Sequence, residues 1–474
     1  MRTRKLLENA RIPGAIAAML GQPRRGAQSF AMNIAWFRKV YPWYVVAVLM
    51  GVYMIGFADR QILSLLVGPV KASLGLIDTQ FGLLQGFAFV MLFALLGVPI
   101  AAIADRHGRR RVLVAGLILW CIFTAACGTA TGFWSLFACR VVVGLGESTI
   151  SPCSLALICN YFPPHRRAFA TSMFVSSGSI GVGLAFTVGG KLVDSVADLP
   201  AARLLGELAT DSWRVAFMLV GLAGLLVLPL LLTIGERRGT AATQPATNNR
   251  PLFRDGQLRA FLHSHGSLVA KHFGAFAAFA SISYGVLAWA PAYFIRRFHW
   301  SPTRFGLIFG LVFAIPSVSG TILGGWWASK LRAAGRLDAN FMLMTWGLAG
   351  VGIPAALAPI VPSPNMAMVL YGVVAFFLSF PTGVSAAAVQ DYAPEAIRAR
   401  VSALYYVAVG LGGAGFGPLF VGLLTDYIFR ADALVGRSLA VSGALFGALA
   451  FIFVSAAARD FRRRLAAGDA AISS

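Results

Sequence analysis

Long apolar segments with few charged residues recur along the whole chain, and they constrain its fold more than any other feature. The chain has 474 residues, of which 58% are hydrophobic and 12% are charged, whereas a soluble domain carries about 25% charged residues. Each apolar segment exceeds the roughly 20 residues that an α-helix needs to cross a bilayer. Because backbone polar groups in lipid must be bonded internally, these segments predict membrane-spanning helices.

The apolar segments number twelve, in two sets of six on either side of a polar stretch. We therefore predict an all-α membrane protein with 12 transmembrane helices in two pseudo-symmetric six-helix bundles. The predicted divisions are a basic N-terminal tail at 1–41, a first bundle at 42–235, a linker at 236–267, a second bundle at 268–458 and a C-terminal tail at 459–474.

Charge distribution predicts the orientation of these helices. Most of the 40 Lys and Arg residues lie in the tails and in the even-numbered loops. The positive-inside rule then places both termini and the linker in the cytoplasm. A net charge of +22 would suggest nucleic-acid binding in a soluble protein, but here it indicates topology, and we expect no nucleic-acid partner.

Internal repetition supports two related halves. FGLLQG at 81–86 recurs as FGLIFG at 305–310, which is 224 residues later. NYFP at 160–163 recurs as DYAP at 391–394, at an offset of 231. Matched segments at the same helix ends indicate a duplicated six-helix unit.

The loop after the second segment carries a charged motif made of Asp105, Arg106, Gly108, Arg109 and Arg110. The aspartate can lie against a helix N-terminus, the arginines can contact acids or helix C-termini, and the glycine permits a tight reversal. We predict a conformational latch that forms in one state and breaks in another. The alternative is a basic cytoplasmic loop without a moving part.

Four charged residues lie inside predicted membrane helices: Asp59 and Arg60 in the first, and Arg140 and Glu147 in the fourth. Charges at that depth cost several kcal/mol unless they are paired or hydrated, so we expect them to face an internal cavity. Asp59 and Arg60 are adjacent and point about 100° apart, so both cannot face it directly. We assign proton coupling to Glu147 and Asp59, and a substrate or ion-pair network to Arg60 and Arg140. The alternative is a purely structural cluster of ion pairs.

The Asp105 loop resembles the signature of the major facilitator superfamily, which implies the major facilitator fold. Two departures are Ala101, where the family usually has glycine, and Ser329 at the acidic position of the second copy. Asp59-Arg60, FGLLQ at 81–85 and the Arg140-to-Glu147 motif together resemble the Spinster-like branch. That resemblance implies a proton-linked or facilitative carrier with eukaryotic relatives that move lysophospholipids, sphingoid phosphates or sugars. The basic tails and small extramembrane parts resemble those of a bacterial member, in the inner membrane.

Four aromatic residues in the second half are candidate cavity aromatics: Tyr284, Trp289, Tyr371 and Phe377. Most spans of that half have no internal charge, so a cavity between the halves would have one charged and one apolar wall. Such a cavity suits an amphipathic solute. The alternative is that these rings face lipid or pack between helices.

We therefore predict a secondary active transporter that works by alternating access, is coupled to protons and moves an amphipathic or anionic small molecule. Its partners are that substrate, protons and the bilayer, and we expect a monomer that is not an enzyme, with no cofactor or metal. The five cysteines show no metal-ligand spacing. Within the superfamily, a sugar, organic-anion or drug transporter is the alternative. Outside it, the alternatives are a channel or a structural membrane protein.

Overall fold

A computed structural model describes residues 27–196, 211–235 and 256–468. Most of the predicted N-terminal tail, residues 236–255 of the predicted linker and the tail residues 469–474 lie outside the described residues. Within the described ranges all regular secondary structure is helical.

In the described ranges the first half has six long helices, and three of them are built from two consecutive segments. They are α1 (Ala27–Leu65), α2 (Asp78–Gln85 and Phe87–His107), α3 (Arg109–Cys127), α4 (Phe133–Glu147 and Ile150–Tyr161), α5 (Pro164–Ser195) and α6 (Ser212–Leu225 and Leu228–Leu232). A short helix, Val67–Leu74, lies between α1 and α2.

The second half repeats this order, with π-helical turns in its fifth helix. Its helices are α7 (Gly256–Phe298), α8 (Pro302–Ala333), α9 (Ala339–Leu357), α10 (Pro364–Ser379 and Thr382–Tyr392), α11 (Arg398–Val409, Gly410–Gly415, Phe416–Leu423 and Leu424–Phe429) and α12 (Val435–Ala466). The chain enters at α1 and leaves at α12 on one side of the bundle, here called the termini side. The other side is called the opposite side.

Eleven helices of the described ranges are long and apolar enough to cross a membrane. The twelfth is α2, whose Phe87–His107 segment alone has 21 residues and would be about 32 Å long, the thickness of a hydrocarbon core. The prediction of twelve membrane helices in two six-helix bundles is confirmed. The exact domain boundaries stay predictions.

The duplication extends to individual hydrogen bonds. Arg167 Nε donates to the carbonyl oxygen of Phe162 at 2.9 Å in the first half. In the second half, Arg398 Nε donates to the carbonyl oxygen of Ala393 at 3.1 Å. Both residues of the second pair lie 231 positions after those of the first, which is the offset found in the sequence.

The same offset relates α1 to α7. Tyr41 of α1 packs edge-on against Tyr161 of α4, with ring centroids 5.6 Å apart. In the second half, His272 of α7 packs edge-on against Tyr392 of α10 at 5.8 Å. Tyr41 and His272 are 231 residues apart, and so are Tyr161 and Tyr392. Helices α1 and α4 can therefore be compared residue by residue with α7 and α10.

Helix α7 begins at Gly256, twelve residues before the predicted second bundle, and therefore overlaps the end of the predicted linker. Leu258 and Phe261 in this extension and Leu268 directly after it are buried, and their spacing of three and seven residues places them on one face. On that face Phe261 stacks on Tyr392 of α10, with ring centroids 6.5 Å apart. The extension also lies beside α12, where Arg464 donates to the carbonyl oxygen of Ser264 at 2.8 Å. Packing against α10 and α12 explains why the helix continues past the apolar segment.

The two halves meet through close contacts of α5 with α8 and of α2 with α11. A Cβ atom added at Gly306 of α8 would lie 2.0 Å from the carbonyl oxygen of Phe186 in α5. One added at Gly82 of α2 would lie 2.6 Å from the carbonyl oxygen of Pro418 in α11. Glycine therefore lets the backbones of the two halves touch directly.

Candidate functional site

Helices α1 and α4 are joined by two buried ion pairs formed by the four predicted intramembrane charges. Arg60 Nε and Nη2 each lie 2.7 Å from Glu147 Oε2. Arg140 Nη1 lies 3.5 Å from Asp59 Oδ2. Asp59, Arg140 and Glu147 are fully buried, whereas 12% of the Arg60 side chain is exposed. The structure therefore brings all four residues into one cluster, here called the charged cluster.

Asp59 and Arg60 point in different directions, as their adjacency requires. Asp59 turns toward α3, where Thr124 Oγ1 donates to Asp59 Oδ1 at 2.8 Å. Arg60 lies among the rings of Phe57, Phe89 and Phe93, with its guanidinium carbon 5.0, 4.3 and 5.0 Å from their centroids. Cation–π contacts of this kind stabilise a charge that has left water.

Two polar atoms of the charged cluster are buried and have no hydrogen-bond partner among the described residues: Glu147 Oε1 and Arg140 Nε. Gly56 of α1 faces Glu147, because a Cβ atom at position 56 would lie 3.4 Å from Glu147 Oε2. A buried polar atom without a partner is costly. The charged cluster can therefore accept a further proton or polar group.

Of the four candidate cavity aromatics, the structure brings Tyr284 to the charged cluster. Tyr284 of α7 packs against the core of the first half and is close enough to Tyr53 and Arg60 to interact with both electrostatically. It is a second-half side chain that faces the first-half charges, which matches the position expected of a residue in a cavity between the halves.

The other three candidate aromatics pack between helices instead, as the alternative interpretation held. Trp289 is fully buried and donates through Nε1 to the carbonyl oxygen of Pro418 at 2.9 Å. Tyr371 is buried among phenylalanine rings of α7 and α8. Phe377 lies against Gly350 of α9. Each ring fills a gap that a neighbouring helix leaves, so none of them reaches the charged cluster in this conformation.

The Asp105 loop lies at the termini side between α2 and α3. Asp105 pairs with Arg109 at 3.0 Å, and Arg109 also donates to the carbonyl oxygen of Ala156 in α4 at 3.0 Å. Arg110 Nη1 donates to the carbonyl oxygens of Leu232 and Ile234, at the end of α6.

The other residues of this motif, Gly108, Arg106 and Asp105, form no hydrogen bond with α4 or α6 that the structure describes. Gly108 has a φ of +99°, which glycine tolerates and other residues rarely adopt. Arg106 is exposed. Among the described residues, Asp105 has no contact with the N-terminus of a neighbouring helix, and its carboxylate instead binds Arg109, one turn later. The contacts of Arg110 with carbonyl oxygens at the C-terminal end of α6 are of the kind expected for this motif, and its role as a latch stays a prediction.

In the second half the acid of the equivalent loop lies on a different helix. Ser329 of α8 bonds to Gly325 of its own helix. Asp391 at the end of α10 instead pairs with Arg332 and accepts from Asn340 Nδ2 at 2.7 Å. The sequence repeat contained this signal, because Asp391 is the counterpart of Asn160, but our interpretation of the sequence did not assign it a role.

A second charged network, which the sequence analysis missed, joins the halves at the opposite side. Asp78 at the start of α2 is buried and accepts from Arg296 Nη1 and Nη2 of α7 at 2.8 and 2.9 Å. Lys71 pairs with Asp78 and, at 2.6 Å, with Asp432. Each of these residues lies near a helix end, where the sequence gives no sign of which charges meet.

Asp426 of α11 completes this network, here called the opposite-side network. Its carboxylate accepts from the backbone N–H of Asp78 at 3.2 Å and of Thr79 at 2.6 Å. A carboxylate at a helix N-terminus satisfies free N–H groups and interacts favourably with the helix dipole. Side chains of the second half thus hold the first turn of α2, and the opposite side is closed.

The charged cluster has no equivalent in the second half. At the offset of 231, the four counterpart positions carry no charge, so this arrangement of two linked ion pairs is found in the first bundle and is not repeated at the equivalent positions of the second. The counterparts of Asp59, Arg60, Arg140 and Glu147 are Ala290, Pro291, Tyr371 and Leu378.

Comparison with known proteins agrees with this architecture. Residues 49–339 match the family model of the Major Facilitator Superfamily. The chain is 28% identical over 425 residues to an MFS-type efflux pump of Mycolicibacterium smegmatis, covering 87% of this chain and 92% of the pump. It is 27% identical over 420 residues to human protein spinster homolog 1, covering 81% and 73% respectively.

Among solved structures, a bacterial homologue of the human lysosomal transporter Spinster, in an inward-facing and unoccupied conformation, superposes with a TM-score of 0.72. It is 24% identical and the match covers 89% of this chain and 98% of that one. The resemblance to Spinster proteins that the sequence motifs indicated is thus found in both sequence and fold. The family match spans more than half of the chain, which therefore belongs to the major facilitator superfamily of membrane transporters.

Proposed function

We propose that this protein is a proton-coupled secondary transporter that works by alternating access and moves an amphipathic or anionic small molecule. The observation that carries the proposal is the buried Arg60–Glu147 pair, in which Glu147 keeps one oxygen without a partner. A proton on Glu147 would remove the negative charge that balances Arg60. Because an uncompensated charge at this depth is costly, Arg60 would then favour binding of an anionic group.

The surroundings of Arg60 support an amphipathic substrate. Three phenylalanine rings surround its guanidinium group, and Tyr284 approaches from the second half. A head group with negative charge would bind Arg60, while an apolar tail would contact the rings. A lysophospholipid-like or sphingoid-like molecule has both parts, and the similarity to human protein spinster homolog 1 favours this class.

Alternating access is supported by how the halves contact each other. The opposite-side network and the close backbone contact between α5 and α8, here called the α5–α8 seam, hold that side closed. A substrate can therefore pass there only when the halves separate. We propose that they rock about the charged cluster, and that the Asp105 loop and the Asp391–Arg332 pair hold each bundle together at the termini side during this motion. With the termini in the bacterial cytoplasm, the opposite-side network would face outward.

The test is transport in proteoliposomes with an imposed pH gradient, using the Glu147→Gln variant. We expect the variant to fold and insert into the membrane, with a lower melting temperature because Arg60 loses its buried partner. It should keep substrate counterflow but lose the response to the gradient. Glu395→Gln is the matched control, because Glu395 is an exposed carboxylate in the loop before α11. Gradient-driven transport that is equal in Glu147→Gln and native protein would refute proton coupling through Glu147.

The alternative is a transporter of sugars, organic anions or drugs. The similarity to an MFS-type efflux pump favours it, and the two arginines of the charged cluster would also suit a small anion. Thermal shift of the purified protein with lysolipids, sugars and organic anions at two pH values separates these classes. Stabilisation by a sugar and not by lysolipids would replace the substrate class proposed here.

A further inference from the structure

Three tryptophan side chains form a continuous exposed surface at the termini-side ends of α8 and α9. Trp326 and Trp327 are 5.8 Å apart and Trp327 and Trp346 are 6.1 Å apart between ring centroids, with both pairs edge to face. Their exposed fractions are 54, 41 and 44%. Three of the ten tryptophans of the chain therefore lie in one place, here called the tryptophan patch.

The depth of the tryptophan patch matches a membrane interface. Trp326 lies seven residues before the end of α8, and Trp346 lies seven residues after the start of α9. Both are therefore about 10 Å from the helix ends, near the boundary between head groups and hydrocarbon, where tryptophan is enriched. Adjacent exposed side chains such as Ile322 and Ile353 are aliphatic and extend the surface toward the membrane centre.

The duplicated fold does not require this surface. At the offset of 224 that relates α2 to α8, the counterparts of Trp326 and Trp327 are Ala102 and Ile103. Ile103 is exposed at the same depth, so an aliphatic side chain serves as lipid contact in the first half. The aromatic rings are therefore a separate property of the second half.

A cation without an acidic partner lies directly over the tryptophan patch. Lys330 Nζ is 5.1 Å from the ring centroid of Trp326, one helical turn closer to the termini side. In the part of the chain that the structure describes, Lys330 forms no ion pair, whereas nearby Arg332 is taken by Asp391. Arg336, in the turn between α8 and α9, contacts the sulfur of Met342 and likewise has no acidic partner among the described residues.

We propose that the tryptophan patch and Lys330 form a binding site for an anionic phospholipid. The phosphate and any further negative charge of the head group would bind Lys330 and Arg336, and the rings would hold the glycerol and upper acyl region. Charge complementarity selects an anionic lipid over a zwitterionic one, because neither Lys330 nor Arg336 forms an ion pair with an acid among the described residues.

The site is tested by tryptophan quenching in vesicles of zwitterionic phosphatidylcholine, to which brominated phosphatidylglycerol or brominated phosphatidylcholine is added. The fluorescence of the tryptophan patch, here called the patch signal, is the fluorescence of the native protein minus that of the triple variant W326F/W327F/W346F. We expect the patch signal to be quenched at a lower fraction of brominated phosphatidylglycerol than of brominated phosphatidylcholine. Lys330→Gln should raise the required fraction of phosphatidylglycerol about fivefold, since a basic residue at the surface contributes about 1 kcal/mol.

Two controls separate this site from general lipid contact. Lys330→Arg should keep the preference, and W134F should leave the patch signal unchanged, because Trp134 is 76% exposed at the opposite side. Equal quenching by the two brominated lipids in the native protein would overturn the proposal, and so would an unaltered preference in Lys330→Gln. The readout is lipid contact and does not depend on transport.

Discussion

At the scale of single residues, Asp59 is the side chain on which the charged cluster most depends. It pairs with Arg140 and accepts from Thr124, and all three are buried. Asp59→Asn would leave Arg140 as a buried charge with a neutral neighbour. Removing one partner of a buried ion pair costs about 3–5 kcal/mol, so we expect a clearly lower melting temperature for the purified variant.

The control for this prediction is Asp105→Asn. Asp105 also pairs with an arginine, but its side chain is 58% exposed, and surface pairs contribute under about 1 kcal/mol. If the two variants melted at the same temperature, the Asp59–Arg140 pair would not stabilise the bundle. A double variant, Asp59→Leu with Arg140→Met, should recover stability, because well-packed apolar residues often replace a buried pair without loss.

At the scale of helices, the contact between α5 and α8 depends on glycine. In Gly306→Ala the new methyl would lie 2.0 Å from the carbonyl oxygen of Phe186, far inside van der Waals contact. We expect the variant to lose the close contact, with a lower melting temperature and at least tenfold slower transport. Gly325→Ala in the same helix meets nothing within 4 Å and should behave like the native protein.

A Gly306→Ala protein with native stability and rate would show that α8 does not need this approach to α5. The comparison is matched because both substitutions add one methyl to the same helix. Alanine also favours helix over glycine by about 0.5–1 kcal/mol, so any loss in Gly306→Ala is caused by the contact and not by helix propensity.

Helix existence could be predicted from the sequence, because lipid imposes length and hydrophobicity on every span. Helix ends could not. Helix α7 continues through a polar region because its extension contacts α12 through Ser264 and α10 through the ring of Phe261, and both partners are distant in sequence. Similarly, Asp391 replaces Ser329 as the acid of the second-half loop only because α10 ends beside α8.

The candidate site could likewise be predicted only in part from the sequence. The four charges of the cluster could be identified because charges inside a span are costly and therefore rare. Which acid pairs with which arginine depends on helix rotation, which the sequence leaves open. Aromatic residues carry no comparable signal, so Tyr284 and Trp289 looked alike in the sequence, although one faces the charged cluster and the other bonds to Pro418.

At the scale of the whole molecule, the opposite-side network should control how often that side opens. Asp78→Asn would weaken the contacts with Arg296 and Lys71, both of which bind its buried carboxylate. We expect faster hydrogen–deuterium exchange in peptides covering 67–85 and 424–434, with little change at the termini-side ends.

Asp432→Asn offers a graded comparison, because the Asp432 side chain is 58% exposed and lies 3.7 Å from Arg296. It should increase exchange in the same peptides by less than Asp78→Asn does. Equal exchange in Asp78→Asn and native protein would mean that the Asp78 carboxylate does not control the opening of this side.

The charged cluster contains two carboxylates and two guanidinium groups, and this balance has an electrical consequence under the proposed function. Adding one proton gives the cluster one net positive charge, and a monovalent anion restores neutrality. The loaded carrier would then complete its transport cycle without moving net charge across the membrane. Because moving one charge through 100 mV changes the free energy by about 2.3 kcal/mol, voltage is a sensitive probe. A potassium diffusion potential should leave uptake of a monoanion unchanged, whereas a pH gradient of equal free energy should drive it.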